Sequence, residues 1–179
     1  SKKKASLNGD AGVCIDMMPV KPVKRYMADY RYSQWWCRPA FGSDLTHIPG
    51  KTQLLVLELE DGTFCVMVPV VNDNYRQSHS DGRNYSLNGF LMANRRLNSK
   101  GTDKNVVTAE LSSWYDKLYT CNGLALVYAQ GKNPSALIEN CVKEALKLLN
   151  NGTRHISERR YPELMEYLGW CSWDSMQIR

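Results

Sequence analysis

The stretch QLLVLELEDGTFCVMVPVV, residues 53 to 71, restricts the possible folds of this chain more than any other segment. Two runs of strand-favouring residues flank Asp61 and Gly62, a pair that accommodates the positive φ angles of a tight turn. The pattern predicts an antiparallel β-hairpin. Because Pro69 has no backbone N–H, we expect the second strand to lie at a sheet edge or to carry a bulge near its end.

Further strand patterns fill the first two thirds of the chain. They cover residues 25–36, 84–91, 106–111 and 123–130, and clusters of Gly, Asn, Asp and Ser separate them. Several short strands with turn residues between them are typical of an antiparallel sandwich. We therefore predict a mainly β fold, a two-layer antiparallel β-sandwich over about residues 20–130.

The hydrophobic period changes in NPSALIENCVKEALKLLN, residues 133 to 150. Apolar residues recur at helical spacing, Asn133 is a plausible N-cap, Pro134 suits the first helical position and Gly152 follows the end. The pattern predicts one long amphipathic helix over 134–150. A polar connector, RHISERRYPELMEY, and an apolar strand, YLGWCSW, follow it.

Charge and composition exclude some classes of protein. The formal net charge is +5, but the 23 basic residues are scattered, whereas nucleic-acid binders concentrate charge on one face. We therefore expect no nucleic-acid partner. No apolar run approaches the roughly 20 residues of a membrane helix. We expect no membrane partner and a soluble chain, with the cytoplasm favoured over export after removal of a signal peptide.

The cysteines and histidines show no metal-site spacing. The six cysteines at 14, 37, 65, 121, 141 and 171 form no C-x-x-C pair, and the histidines stand far from them in sequence. We predict neither a metal nor a cofactor. An even count allows disulfides, but the apolar settings of Cys65 and Cys141 favour buried thiols.

Four segments and the ending carry a resemblance to a known family. GWCSWD (169 to 174) resembles the Gly-Trp-Cys-Thr-Trp-Asp motif that opens the catalytic barrel of raffinose synthases, alkaline α-galactosidases and seed imbibition proteins. YRYSQWW (30 to 36), DLTHIPGKTQLLVLE (44 to 58), VPVVNDNYRQSHSDG (68 to 82) and VYAQGKNPSALIENCVKEA (127 to 145) resemble segments that precede that barrel, in the same order. The chain departs from the family pattern at Lys51, where Glu is usual, and at Ser172, Ser175 and Met176.

The resemblance implies an N-terminal β-sandwich domain followed by a (β/α)₈ barrel, in an enzyme of the α-galactosidase clan. On this reading residues 1–160 are the sandwich domain, residues 161–179 are a linker and the first barrel strand, and the chain is an N-terminal fragment. Retaining α-galactosidases use two carboxylates that flank the scissile bond. The family places both on later barrel strands, so we expect no catalytic residue in this chain. The family reading leaves hydrolysis and galactosyl transfer both open for the parent enzyme.

The same resemblance selects the candidate site residues. Trp173 and Asp174 lie at the end of the first barrel strand, where barrel active sites form, and are expected to contact an α-galactoside in the parent enzyme. The alternative is a core tryptophan and an aspartate that caps the next element. Trp35 and Trp36 are adjacent in a strand pattern and so point to opposite faces, one of them free for a domain interface or a sugar contact. The expected partners are the sugar and the chain's own barrel, and a homo-oligomer is left open. The alternatives to a barrel-supporting domain are a stand-alone carbohydrate-binding module and an oligomerisation domain.

Overall fold

The computed structural model describes residues 2–5, 11–17, 21–33, 36–70, 88–93, 106–113, 124–150, 152–167 and 169. In this part of the chain the strands are β1 Lys2–Ala5, β2 Ala11–Met17, β3 Val23–Ser33, β4 Trp36–Gly42, β5 Thr52–Leu59, β6 Phe64–Pro69, β7 Asn88–Ala93, β8 Val107–Ser113 and β9 Leu126–Gly131. The helix is α1 Pro134–Leu149, and 3₁₀ turns cover Leu45–His47, Ile156–Glu158 and Glu163–Glu166.

The strands form one antiparallel network that branches at β5 into two sheets. The first sheet has the order β4-β3-β5-β6-β9, and the second has the order β1-β2-β8-β7. On one side of β5, residues 55–58 pair with β6 while Thr52 pairs with Leu91 of β7. The prediction of a mainly β, antiparallel sandwich is confirmed. The predicted first barrel strand lies largely outside the described residues.

The main core lies between the two sheets. From β5 it takes Leu55, Leu57 and Leu59, each at most 1% exposed, because every second residue of a strand points to the same face. The second sheet and β6 contribute Cys65, Met67, Leu91, Val107 and Ala109, and β3 and the segment after β4 contribute Tyr26, Ala28, Leu45 and Ile48.

A second, smaller core lies on the opposite face of the first sheet. There α1 packs across β6 and β9, and Val56, Val66 and Cys141 are buried together. The strands β5 and β6 are therefore buried on both faces. This double burial explains why their sequences are nearly continuous apolar runs and not a clean alternation of apolar and polar residues.

The predicted hairpin at Asp61 and Gly62 is confirmed. Gly62 has φ of +77°, the N–H of Leu59 donates to the carbonyl of Thr63 at 2.8 Å, and Asp61 accepts from the Thr63 N–H at 3.0 Å. The prediction for Pro69 is wrong in one respect, since β6 is an interior strand that pairs with β5 and β9. The β5–β6 ladder stops at Met67, so Pro69, the last residue of β6, costs no hydrogen bond to β5.

The predicted strand over 25–36 corresponds to β3 with shifted ends, and the strand β4 was not predicted. β3 ends at Ser33 and Trp36 begins β4, which returns antiparallel along β3. The patterns at 84–91, 106–111 and 123–130 correspond to β7, β8 and β9, with shifted ends. The strands β1 and β2 were not predicted, and they extend the second sheet to Lys2.

The predicted helix is confirmed as α1. The Asn133 side chain accepts from the Ala136 N–H at 3.1 Å, and Pro134 occupies the first turn, where a missing N–H costs nothing. The C-cap is Asn150 in the left-handed conformation, with φ of 44°. In the part of the chain described, no helix has the length and apolar character needed to cross a bilayer.

Candidate functional site

The structure describes one of the four residues selected from the sequence. Trp35, Trp173 and Asp174 lie outside the described residues, so their roles stay predictions. Trp36 is the first residue of β4, and 70% of it is exposed. Trp36 is therefore available for contact with another molecule or domain.

The β3–β4 hairpin carries Trp36 beyond the edge of the main core. In its register Tyr26 lies opposite Gly42 and Tyr30 opposite Arg38. The Tyr26 end is buried in the core, whereas the other end of the hairpin is exposed. There the guanidinium carbon of Arg38 lies 3.7 Å from the ring centroid of Tyr32, a cation–π contact.

We call Tyr32, Trp36 and Arg38 the aromatic surface. Tyr32 is 57% exposed, and Trp36 is more exposed than Tyr32. Exposed aromatic rings can stack on the apolar face of a sugar or pack against another protein domain. The aromatic surface has the chemistry for binding by stacking, and none of its three side chains is an acid that could donate a proton to a glycosidic oxygen.

Glu58 and Asp61 are two carboxylates with lowered pKa values, and both are engaged in ion pairs. Hydrogen bonds from Arg25 and then Lys24, whose Nζ lies 3.0 Å from Oε1, lower the pKa of Glu58. A hydrogen bond from Lys21 is the largest cause of a lowered pKa at Asp61, followed by one from Thr63. Both carboxylates are thereby held ionised. A catalytic acid needs the opposite shift, so neither group is suited to donate a proton to a glycosidic oxygen.

Metal-binding and thiol chemistry find little support in the described residues. Within those ranges no three His, Cys, Asp or Glu side chains come together as a metal site. Cys37, Cys65 and Cys141 are unpaired thiols, with Cys37 exposed. Burial raises the pKa of the Cys65 and Cys141 thiols, which makes them poor nucleophiles and matches the interpretation of them as small hydrophobic residues.

The segment that follows α1 also has an unusual surface. We call residues 156–167 the apolar connector. Its two 3₁₀ turns are held by local bonds such as that from the Tyr161 hydroxyl to the Met165 carbonyl at 3.2 Å. Five large apolar or aromatic side chains of the apolar connector are more than 60% exposed: Ile156, Tyr161, Leu164, Met165 and Tyr167. Exposed apolar side chains at this density are typical of surfaces that contact another molecule or domain.

An open groove of about 510 Å³ lies on the face of the first sheet that carries α1. The helix packs mainly on β6 and β9, and the groove lies over β3, β4 and β5. Phe41, 75% exposed, forms one wall. The remaining lining residues are Arg25, Tyr26, Met27, Gly42, Val56, Glu58 and Phe64.

The sequence reasoning missed Tyr32, Arg38, Phe41 and the exposure of the apolar connector. The segment 154–167 was interpreted as a polar connector, and the exposure of its apolar side chains was not predicted. Leu164 and Met165 between two tyrosines were the available signal, because a solvated linker does not need them. Tyr32 and Phe41 gave no signal, since exposure at the end of a hairpin depends on which strands lie beside it.

Comparison with known proteins gives a consistent result. Residues 15–179 match the sequence model of the family described as "Raffinose synthase or seed imbibition protein Sip1". A stachyose synthase of Pisum sativum is 24% identical over 156 residues, which are 87% of this chain and 16% of that protein.

Two further relatives are galactosyltransferases by name. The probable galactinol–sucrose galactosyltransferase 6 of Arabidopsis thaliana is 25% identical over 167 residues, 84% of this chain and 20% of the relative. The galactinol–sucrose galactosyltransferase of Pisum sativum is 22% identical over 161 residues, 87% of this chain and 17% of the relative. The chain thus spans about a sixth to a fifth of the length of these relatives.

Proposed function

The chain belongs to the raffinose synthase and seed imbibition protein family, and on this premise we propose that it is a non-catalytic β-sandwich domain of an enzyme acting on α-galactosides. In this proposal the domain lies N-terminal to a (β/α)₈ barrel and packs against it. Relatives named as galactinol–sucrose galactosyltransferases favour galactosyl transfer as the reaction of the whole enzyme.

The observation that carries the proposal is the exposure of the apolar connector. Leu164 is 81% exposed and Ile156 is 79% exposed, whereas the core residues of the sandwich are almost fully buried. Burying a large apolar side chain stabilises a protein by about 1.5–3 kcal/mol. One residue, Leu168, separates the apolar connector from GWCSWD, which resembles the opening of a barrel. A barrel beside it would cover these side chains.

The chemistry of the described carboxylates supports a non-catalytic role. Glycoside hydrolases that retain configuration place two carboxyl groups about 5 Å apart across the scissile bond, one with a raised pKa. Glu58 and Asp61 are instead paired with cations, and both have lowered pKa values. In the proposal, the catalytic carboxylates belong to the barrel.

A fluorescence experiment with a dye that binds exposed apolar surface tests the docking role. The 179-residue chain is expected to bind the dye, and the triple variant Ile156→Ser, Leu164→Ser, Met165→Ser is expected to lose at least half of the signal. These side chains are exposed, so the circular dichroism spectrum should not change.

A matched substitution separates the apolar connector from general hydrophobic exposure. Leu148 of α1 is 55% exposed and undergoes the same chemical change in Leu148→Ser. Leu164→Ser should lower dye binding more than Leu148→Ser does. Equal effects, or a triple variant that binds as much dye as the parent chain, would show that the connector is not the contact surface.

A further inference from the structure

The edges of the two sheets differ in how they oppose pairing with another strand. β1 carries Lys2, Lys3 and Lys4, and the edge strand β4 of the first sheet carries Arg38 and Pro39. Lysines and prolines at edges are the usual protection against strand addition. β9, with the sequence LVYAQG, has neither a charge nor a proline, and among the described residues it pairs with β6 alone.

The backbone of β9 presents hydrogen-bonding groups at this edge. The N–H of Val70 donates to the carbonyl of Ala125 at 3.0 Å, so residue 125 points toward β6. Because successive residues of a strand alternate in direction, the N–H and C=O groups of Leu126, Tyr128 and Gln130 point away from β6. Tyr128 is also 69% exposed, which places an uncovered aromatic ring at the same edge.

The helix leaves room beside this edge. α1 packs across β6 and β9, and a groove of about 360 Å³ lies between β9 and the outer side of α1. No residue of β6 lines this groove, so it faces the outer side of the sheet. Its lining residues are Val127, Tyr128, Ala129, Asn140, Cys141, Lys143 and Glu144.

We propose that β9 pairs antiparallel with β9 of a second copy of this chain, about a two-fold axis. Paired strands lie about 4.8 Å apart, so the two-fold axis lies about 2.4 Å beyond β9. Because α1 lies over the middle of the β6–β9 pair, its axis is about 5 Å from the two-fold axis, and the two α1 helices are about 10 Å apart. Helices pack at 8–10 Å. The second copy therefore fits without displacing either helix, and its α1 covers the groove.

The charges on α1 are complementary under the same symmetry. A two-fold axis makes the helices antiparallel, with the groove residues at the crossing point. Lys143 then faces Glu144 of the partner subunit, and the reverse contact forms on the other side. Both side chains are exposed, and within the described ranges the ion pairs that they form, with Glu139 and Lys147 respectively, lie on their own helix. We therefore expect a second copy of this chain to bind at the β9 edge. This proposal does not depend on whether the domain also packs against a barrel.

Sedimentation equilibrium of the 179-residue chain over a range of concentrations tests the proposal. We expect a mass of twice 20.4 kDa at high concentration and dissociation on dilution. Tyr128→Lys adds a charge to the free edge and should give a monomer at every concentration. Trp36→Lys is the matched control, because Trp36 is equally exposed, at 70%, on the edge that Pro39 protects, and this variant should still dimerise.

A variant in α1 is needed if the circular dichroism spectrum of Tyr128→Lys differs from that of the unmodified chain, because that variant would then not be correctly folded. Glu144→Lys leaves β9 unchanged and places like charges across the axis, so it should weaken the dimer, most strongly at low salt. The double change Lys143→Glu, Glu144→Lys should restore dimerisation. A monomeric parent chain would overturn the proposal, as would a dimer that neither Tyr128→Lys nor Glu144→Lys weakens.

Discussion

Replacing Gly42 by alanine probes the packing of the β3–β4 hairpin on the core. A Cβ at Gly42 would lie 2.8 Å from Cε1 and 2.9 Å from Cζ of Tyr26, the residue opposite it. Tyr26 is 5% exposed and belongs to the main core, so its ring has little room to move. The substitution therefore overpacks the hairpin.

The magnitude follows from two opposing effects. Carbon atoms in contact lie about 3.5–4.0 Å apart, so the ring must shift by about 1 Å. Overpacking of this kind costs about 1–3 kcal/mol, and the lower entropy of alanine in the unfolded chain offsets about 0.5–1 kcal/mol. We expect Gly42→Ala to lower the free energy of unfolding by about 1–2 kcal/mol, or roughly 3–6 °C in melting temperature.

Urea denaturation of Gly42→Ala beside Gly50→Ala measures the effect. No atom lies within 4 Å of a Cβ built at Gly50, so this control should be neutral or slightly stabilising. Adding Tyr26→Leu to Gly42→Ala should cost less than the sum of the two single changes, because a smaller side chain removes the clash. If Gly42→Ala is as neutral as Gly50→Ala, the proposed contact between Tyr26 and Gly42 is wrong.

Three further predictions concern the helix cap, the ion pairs and catalysis. Asn133→Ala removes the acceptor for the Ala136 N–H and should cost about 1 kcal/mol in thermal or urea denaturation; an unchanged midpoint would contradict the cap. Arg25 and Lys24 lower the pKa of Glu58 from its ordinary 4.5, so its contribution is present above about pH 4.5 and is lost as pH falls through the folded-state pKa. Glu58→Gln should flatten the fall of the urea midpoint below that pH, and an unaltered pH profile would exclude this role. The purified chain should not cleave an aryl α-galactoside; turnover above an empty-vector control would place catalytic residues within it.

The sequence predicted those elements whose signals are local. The β5–β6 hairpin is encoded by Asp61 and Gly62 at its turn, and α1 by the Asn133 cap and the 3.6-residue period. The ends of these elements follow from adjacent residues, so no knowledge of the rest of the fold was needed.

The remaining pairings depend on contacts between residues distant in sequence. The branch at Thr52 and Leu91 joins segments 39 positions apart, and neither segment contains a signal for the other. The tryptophans Trp35 and Trp36 follow β3 closely, so the predicted strand ran past Ser33 to residue 36, and β4 was not predicted as a strand of its own.

The candidate site was predicted only in its general nature. Trp35 and Trp36 were predicted to point to opposite faces of a strand. Strand alternation does not show which of these faces is covered by another layer of the protein. Its 70% exposure follows from its position on an edge strand beyond the core. The apolar connector was missed for a related reason, because composition shows apolar residues but not whether a neighbour buries them.

Titration of the isotope-labelled chain with galactose, raffinose and galactinol, followed by the indole N–H signal of Trp36, is the most direct test of the central claim. A barrel-supporting domain has no sugar pocket of its own, so we expect no saturable shift of that signal. A saturable shift that Tyr32→Ala abolishes, with the Trp36 indole still present to report it, would contradict the account and identify the aromatic surface as a carbohydrate-binding site.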